Sequence, residues 1–567
     1  MWKGRLRTRS GRAELGIELA LLAAAGIFIL WCGRGLTFLQ DEWDFVEFRL
    51  GGDADAFLEP HNQHLLLVVA AVYKALFVTA GLDEYWPYLV VGATAHLLCV
   101  ALLFEVARRR VGPALGAAVA LPVLLMGSGW YVLVFPFNIQ WSVAGAALCG
   151  IVLLLDREDP RLDPAVAALA LLAIASASLG VVVAVGVAAA FAWARSWRRM
   201  WVPLLPLGLW LLWFIAYDAA SDQRAGYRLS ASPAYLFDTV AGAVAGFLGT
   251  PLELGAVAGR PWLDTGLHVL ALVLVLALAA EVARRRHRIT PQLALLLTTL
   301  AAYWAVLTVS RGYLDSPYQS NYTYVGVLLI VLVALELARG RAIRPPVAAA
   351  AALVCCAGAA LNVWVLLERS LDRRHDARLV VADVSALEIA RVPPDPAFQP
   401  DRGGERNPNV IAFVYYAATD RLDSSPADTP EELAREPEFA RARADHVLTH
   451  AYEVEPARVN AGVRRVLAAV GGPGALARGC DRGQTVPGDT TPRDATLHSD
   501  LVVLRARPDA KLTLRARRFA HEFPDAPLAE VGGGPYLVSA PRGRAEQPWH
   551  LGVTSPKPVD VCPITPR

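Results

Sequence analysis

The sequence predicts a polytopic α-helical membrane protein of about 11 transmembrane helices, followed by a mixed α/β domain outside the cytoplasm. Three observations carry this. Hydrophobic residues make up 55% of the 567, with mean hydropathy +0.38, above the ~45–50% usual for soluble domains. Apolar runs of about 20 residues, enough to span a bilayer core, recur from Leu15 to Leu366. From Leu367 onward they stop, and charge, proline and glycine take over. The chain divides into a membrane domain, residues 1–366, with a first outer loop at 33–85, and an extracytoplasmic domain, residues 367–567. At about 200 residues the second is large enough for its own core.

The elements follow in order. "MWKGRLRTRSGR" is basic and precedes the apolar run 15–32. That run is long for a signal peptide and no clear cleavage site follows, which favours a retained anchor with a cytoplasmic N-terminus. Short basic loops recur at 108–110, 156–161, 195–199, 284–288 and 339–344. The positive-inside rule puts all of them in the cytoplasm, provided that 61–81 stays on the outer face as an amphipathic or re-entrant helix. The expected spans are 15–33, 86–107, 113–133, 140–155, 164–179, 181–194, 201–217, 266–282, 291–309, 323–338 and 346–366, which leaves the C-terminal domain outside. The stretch 164–194 is long for one span and short for two at ~1.5 Å per residue. Ser176, Ser178 and Gly180 mark a break there. The rival, one helix over 164–194 and a crossing at 235–254, puts Arg195, Arg198 and Arg199 outside.

The first outer loop opens with "TFLQDEWDFVEF" (37–48). Between Asp41 and Glu59 it holds seven acids and one basic residue, Arg49. "EPHNQH" (59–64) then reads as the start of the surface helix: Pro60 suits a first turn, Glu59 a helix N-terminus, and His61 and His64, three apart, one face. Two functional readings compete with a solvated acidic loop. A carboxylate among Asp41, Glu42 and Asp44 acts as general base, with His61, Asn62, His64 and Lys74 contacting substrate. Alternatively Asp41, Asp44, His61 and His64 hold a divalent metal. Trp43 and Phe45 argue against a loose loop. Outer loop 129–141 adds Asn138 and Gln140 among aromatics, against the competing reading of an interfacial aromatic belt. Loop 310–324 adds Arg311, Tyr313 and Tyr322. Arginine's forked donors suit phosphate, and a snorkelling interfacial residue is the alternative.

A net charge of +2 gives no sign of nucleic acid. No phosphate-cradling G-x-x-x-x-G-K-[ST] loop, H-E-x-x-H or paired C-x-x-C occurs. Any chemistry must therefore draw its energy from an activated substrate, and no cofactor is implied beyond a divalent cation. Five of the seven cysteines lie in apolar runs; Cys480 and Cys562 lie in the polar tail and form a disulfide if that tail is outside the cell.

This layout resembles the GT-C glycosyltransferases, and in organisation the bacterial members similar to protein O-mannosyltransferases and aminoarabinose transferases. The resemblance covers residues 1–366 and rests on "DEWDF", "EPHNQHLLL" and "SRGYLDSPYQSNYTYVG". It implies a multi-pass cell-membrane enzyme that moves a sugar, with inversion, from a polyprenyl-phosphate carrier to an envelope glycan, lipid or protein. It implies a first-loop Asp as base, which falls on Asp41, with Glu42 beside it and Asp44 in reserve. It implies a late-loop arginine facing the carrier phosphate, which falls on Arg311. The family's Pro-Pro-Leu-x-Tyr-like helix start is replaced here by Glu-Pro-His-Asn-Gln-His. A lipid-linked-glycan transporter or flippase is the alternative, but polar residues deep in the spans are sparse, His96 and Glu105 being the main ones. A non-catalytic scaffold with an outer binding domain is a third.

In the outer domain, 409–417, 500–508, 510–519 and 534–540 read as strands and 429–454 as helical. "EQPWHLGV" (546–553) reads as a core aromatic beside a strand end, with a carbohydrate contact as the rival.

Overall fold

The computed structural model describes residues 9–218, 233–250, 261–285, 289–311, 316–390, 395–401, 410–451, 456–461, 464–465, 484–486, 489–497, 501–525, 527–539 and 548–564. Two compact units form. The first comprises Met1–Gly35, Phe48–Ala80 and Tyr85–Arg373, the second Leu36–Glu47, Gly81–Glu84 and Arg374–Arg567.

The helices of the chain begin with α1 (Arg9–Gly33), α2 (Asp41–Phe48), α3 (Asp55–Leu58) and α4 (Leu67–Ala80). There follow α5 (Trp86–Val111), α6 (Pro113–Leu124), α7 (Trp130–Leu133), α8 (Ile139–Leu155), α9 (Asp163–Ser176), α10 (Leu179–Trp193) and α11 (Trp201–Trp213). The membrane series ends with α12 (Pro233–Phe247), α13 (Pro261–Arg284), α14 (Pro291–Arg311), α15 (Ser320–Ala338) and α16 (Pro345–Ala390). Proline stands in the first turn of α5, α6, α9, α14 and α16, where its fixed φ is preorganised and its missing N–H costs nothing. Gly112, at φ +85°, makes the turn from α5 into α6.

Among the described residues, eight helical stretches are long and apolar enough to cross a bilayer, or nine with the pair Pro113–Leu124 and Gly127–Leu133, bent by 42°. Of the eleven expected spans, nine reach that length and apolarity among the described residues. The difference lies in α9 and α10, 14 and 15 residues long, which reach only about 21–23 Å against a core of ~30 Å. They form a hairpin. A Cβ on Gly180 would sit 2.1 Å from the Ala173 carbonyl carbon, an approach that only a chain folded back on itself can make. At the open end Arg199 Nε donates to both oxygens of the buried Asp163, at 3.1 and 2.9 Å. A single helix over 164–194 is excluded.

The basic loops gather at one end of this unit. Buried Arg110 grips Asp156 with both Nη atoms at 2.8 Å and Glu336 through Nε at 2.7 Å. Arg339 reaches Glu336 at 3.1 Å and Asp156 at 3.4 Å. Thr290 Oγ1 donates to Glu336 at 3.2 Å, and Arg285 and Arg341 pair with Glu281. Trp193 Nε1 donates to the Ile289 carbonyl at 2.8 Å, which brings the base of the hairpin to the same end.

The second unit contains the acidic segment, the last part of α16, helices α17 (Ala412–Leu422), α18 (Pro430–Leu433) and α19 (Glu438–Ala451), and two antiparallel sheets. The strands are β1 (Pro456–Arg458), β2 (Gln484–Val486), β3 (Asp489–Leu497), β4 (Leu501–Ala506), β5 (Lys511–Arg517), β6 (Ala529–Gly532), β7 (Pro535–Ser539), β8 (Trp549–Ser555) and β9 (Val559–Ile564). Their orders are β1-β7-β4-β9-β2 and β3-β8-β5-β6. Alternate residues Leu512 and Leu514 point inward with Val502, Leu504 and Leu551, and small residues Ala386, Ala440 and Ala444 let the helices pack close. Strand expectations at 500–508, 510–519 and 534–540 match β4, β5 and β7. Of the expected strand 409–417, the described residues 410–417 do not form a strand. The run becomes α17, because Tyr415, Ala418 and Thr419 bury one helical face. Trp549 is a core residue. Cys562 is disulfide-bonded, and Cys480 lies outside the described residues.

Candidate functional site

The stretch "EPHNQH" does not open a helix. His61 and His64 pair across a two-residue turn, exchanging N–H···O bonds of 3.1 and 2.9 Å. Asn62 and Gln63, at φ +48° and +68°, occupy the left-handed positions that such a turn requires at both central residues. Asn tolerates that conformation better than most residues. The helix begins only at Leu67. The two histidines thus share the turn rather than a helical face.

Helix α8 supplies the surface beneath them. Phe137, in the short 3-10 turn Pro136–Asn138 that leads into α8, and Trp141, in the first turn of α8, meet His61 and His64 edge-on, with ring centroids 5.3 and 6.2 Å apart. Arg311, the last residue of α14, closes the site. Its Nη2 donates to the Asn62 carbonyl at 2.9 Å and lies 3.4 Å from His64 Nε2. His64 Nδ1 is hydrogen-bonded to the hydroxyl of Ser178, in the two-residue break at the tip of the α9–α10 hairpin. Burial first, then the Arg311 cation and His61, push the His64 imidazole down to about 3, so it is neutral at any physiological pH. With both ring nitrogens engaged, His64 does not fit as a metal ligand.

Other expected contacts are placed differently. Lys74 Nζ donates to the backbone carbonyls of Arg49, at 2.9 Å, and Gly51, and lies 4.3 Å over the Phe57 ring. It staples the loop to itself rather than extending from it. Asn138 and Gln140 are buried. Asn138 Oδ1 accepts from Trp141 Nε1 at 3.1 Å, whereas Asn138 Nδ2 and Gln140 Oε1 have no hydrogen-bond partner among the described residues. Tyr322 is buried in α15, its carbonyl accepting from Tyr303 Oη at 3.4 Å. Tyr313 lies outside the described residues.

Asp41, Glu42 and Asp44 belong to the second unit, on α2. Phe38, Trp43 and Phe45 are fully buried and anchor this short helix. Trp43 Nε1 donates to the Phe38 carbonyl at 3.0 Å, and the indole packs 5.9 Å from Tyr415. Glu42 is buried too, its Oε2 accepting from the Leu39 N–H at 3.0 Å. It serves the start of its own helix. Asp41 and Asp44 are half-buried and, three apart, share a face. Glu47 is buried, with Oε1 accepting from the Ile411 N–H at 3.1 Å. Burial, opposed by that hydrogen bond and aided by the Asp44 charge, pushes its carboxyl up to about 8.

Two residues were not legible as functional in the sequence. Ser178 showed only as a polar interruption of an apolar run. Glu47 was one acid among seven, and nothing local marks it as the one that loses its solvent.

No family model and no curated protein matches the chain. Among solved structures, it is similar to ArnT from Cupriavidus metallidurans bound to undecaprenyl phosphate, at 15% identity and TM-score 0.45, over 73% of this chain and 86% of that one. It is similar to the same protein in the apo state at 15% identity and TM-score 0.44, over 75% and 91%.

Proposed function

We propose that this chain is a membrane glycosyltransferase that moves a sugar from a polyprenyl-phosphate carrier to an extracytoplasmic acceptor. The observation that carries the reading is the clamped arginine: Arg311 is held by a strained turn and a neutral histidine, at the membrane domain's end away from the basic loops. With those loops in the cytoplasm, this end faces outward, where lipid-linked sugars are used. The disulfide at Cys562 fits an oxidising outer compartment for the second unit.

The acceptor hydroxyl attacks the anomeric carbon and its proton passes to Asp41, with Asp44 in reserve. A carbon–oxygen bond to the acceptor forms as the bond to the carrier phosphate breaks, with inversion. Arg311 stabilises the departing polyprenyl phosphate. No ATP is needed, because the phosphate is already a good leaving group. The transporter alternative is disfavoured, because the two main polar groups in the spans, His96 and Glu105, are each held by protein partners. His96 bonds Tyr324 Oη at 3.0 Å and the Leu124 carbonyl at 3.2 Å, and Glu105 pairs with Arg108 and Arg109.

The test is release of polyprenyl phosphate from a polyprenyl-phosphate sugar by the purified full-length protein, with and without exhaustive chelation of divalent metal. Asp41→Asn lowers turnover by roughly 10²-fold or more at unchanged expression. Full activity in that variant defeats the assignment of the base. Activity that survives chelation defeats the metal reading of the acids.

A further inference from the structure

We propose that His64 and Ser178 are positioning residues that fix the Arg311 guanidinium, and that His64 does so in a single tautomer. This rests on the reading of Arg311 as a phosphate ligand and adds to it how the ligand is held. The tautomer follows from donors and acceptors alone. Arginine has no acceptor, so at 3.4 Å from Arg311 Nη2 the Nε2 of His64 must present its lone pair. In a neutral imidazole the proton then resides on Nδ1, and Nδ1–H donates to Ser178 Oγ, the partner found there. The Asn62 carbonyl takes a second bond from the same Nη2 at 2.9 Å, so the end of the guanidinium is held from two directions.

Each part is fixed by its own element. The turn sets the imidazole, because Asn62 and Gln63 have only one narrow region open to them at positive φ. Trp141 supports the ring edge-on. The hairpin of α9 and α10 has its base beside the Ile289 carbonyl, at the end with the basic loops, and brings Ser178 at its tip to the outer loop. Its tip is as tight as backbone allows, since the position of Gly180 has no room for a side chain. The hairpin thus has a purpose in the chemistry: it selects the His64 proton that leaves Nε2 as an acceptor. The groups facing His64 are Arg311, His61, Ser178 and Trp141. Protonation would remove the acceptor and set two cations side by side.

The test uses full-length protein in nanodiscs and equilibrium binding of a polyprenyl monophosphate. His64→Phe, which keeps an edge against Trp141 but has no acceptor, weakens binding roughly ten-fold or more, and Ser178→Ala roughly three- to ten-fold, the range expected for one lost hydrogen bond. His64→Gln, whose carbonyl can stand where Nε2 does, recovers most of the affinity, which a general packing role would not allow. Ser178→Ala adds nothing in the His64→Phe background. In ¹⁵N spectra of histidine-labelled protein, His64 shows a protonated Nδ1 and a bare Nε2. Wild-type affinity in His64→Phe while Arg311→Gln loses binding overturns the positioning role and leaves the phosphate reading standing. Unchanged binding in Arg311→Gln overturns the phosphate reading itself, and a protonated Nε2 in the spectrum overturns the tautomer whatever the phosphate does.

Discussion

Glu47→Gln isolates one buried proton. In the folded protein the Glu47 carboxyl has lost nearly all its water, gains one hydrogen bond from Ile411 N–H and faces the Asp44 charge. It rises from 4.5 to about 8, and at ~1.4 kcal/mol per pH unit that span corresponds to about 5 kcal/mol. The sign follows from proton binding. Between pH 4.5 and about 8 the native state holds a proton that the opened state has released, so stability falls as pH rises through this window and levels off above it. From pH 5 to pH 9 the loss comes to about 4 kcal/mol, or about 10³ in an opening equilibrium. Glutamine keeps the volume and an oxygen for the Ile411 N–H but has no proton to lose. Hydrogen exchange at the Ile411 amide in the full-length protein, corrected for intrinsic exchange, reads this directly. Wild-type protection falls by up to about 10³ across the range, and the Glu47→Gln profile is flat. Parallel profiles in the two proteins would refute the account of Glu47 as a neutral, desolvated carboxyl.

Two further outcomes concern the membrane unit. Arg110→Met leaves Asp156 and Glu336 with only the half-exposed Arg339 between them in place of the buried cation, and destabilises by roughly 3 kcal/mol, read as a lowered thermal midpoint in detergent. An Asp156→Asn substitution on that background restores part of the loss, and a midpoint unaffected by Arg110→Met contradicts the network's role. In intact cells, a cysteine at Gln63 reacts with a membrane-impermeant maleimide and one at Arg161 or Arg341 does not; the reverse pattern inverts the orientation.

Much of the membrane domain was legible along the chain because the bilayer asks simple questions of it. Span positions follow from runs of apolar residues, and the clustering of basic loops at one end follows from where the arginines fall. Strands β4, β5 and β7 follow from period-two alternation. Errors came where local pattern and tertiary context part company. Residues 409–417 carry the β-branched and aromatic residues of a strand, yet one face of a helix was what the core could bury. Pro60 after Glu59 looked like a helix start, yet the left-handed conformations of Asn62 and Gln63 made a turn.

The candidate site divides in the same way. The sequence by itself determined that acids, histidines and one arginine stand between or at the ends of apolar runs, since charge and hydropathy are additive along a chain. Only the tertiary structure decided what each does. Glu42 and Glu47 are both buried acids on one short helix, but one secures its helix start while the other holds a proton. Ser178 and Arg311 are 133 positions apart in sequence and meet through His64. Burial and hydrogen-bond partnership belong to three-dimensional neighbours, and no local stretch of residues contains them.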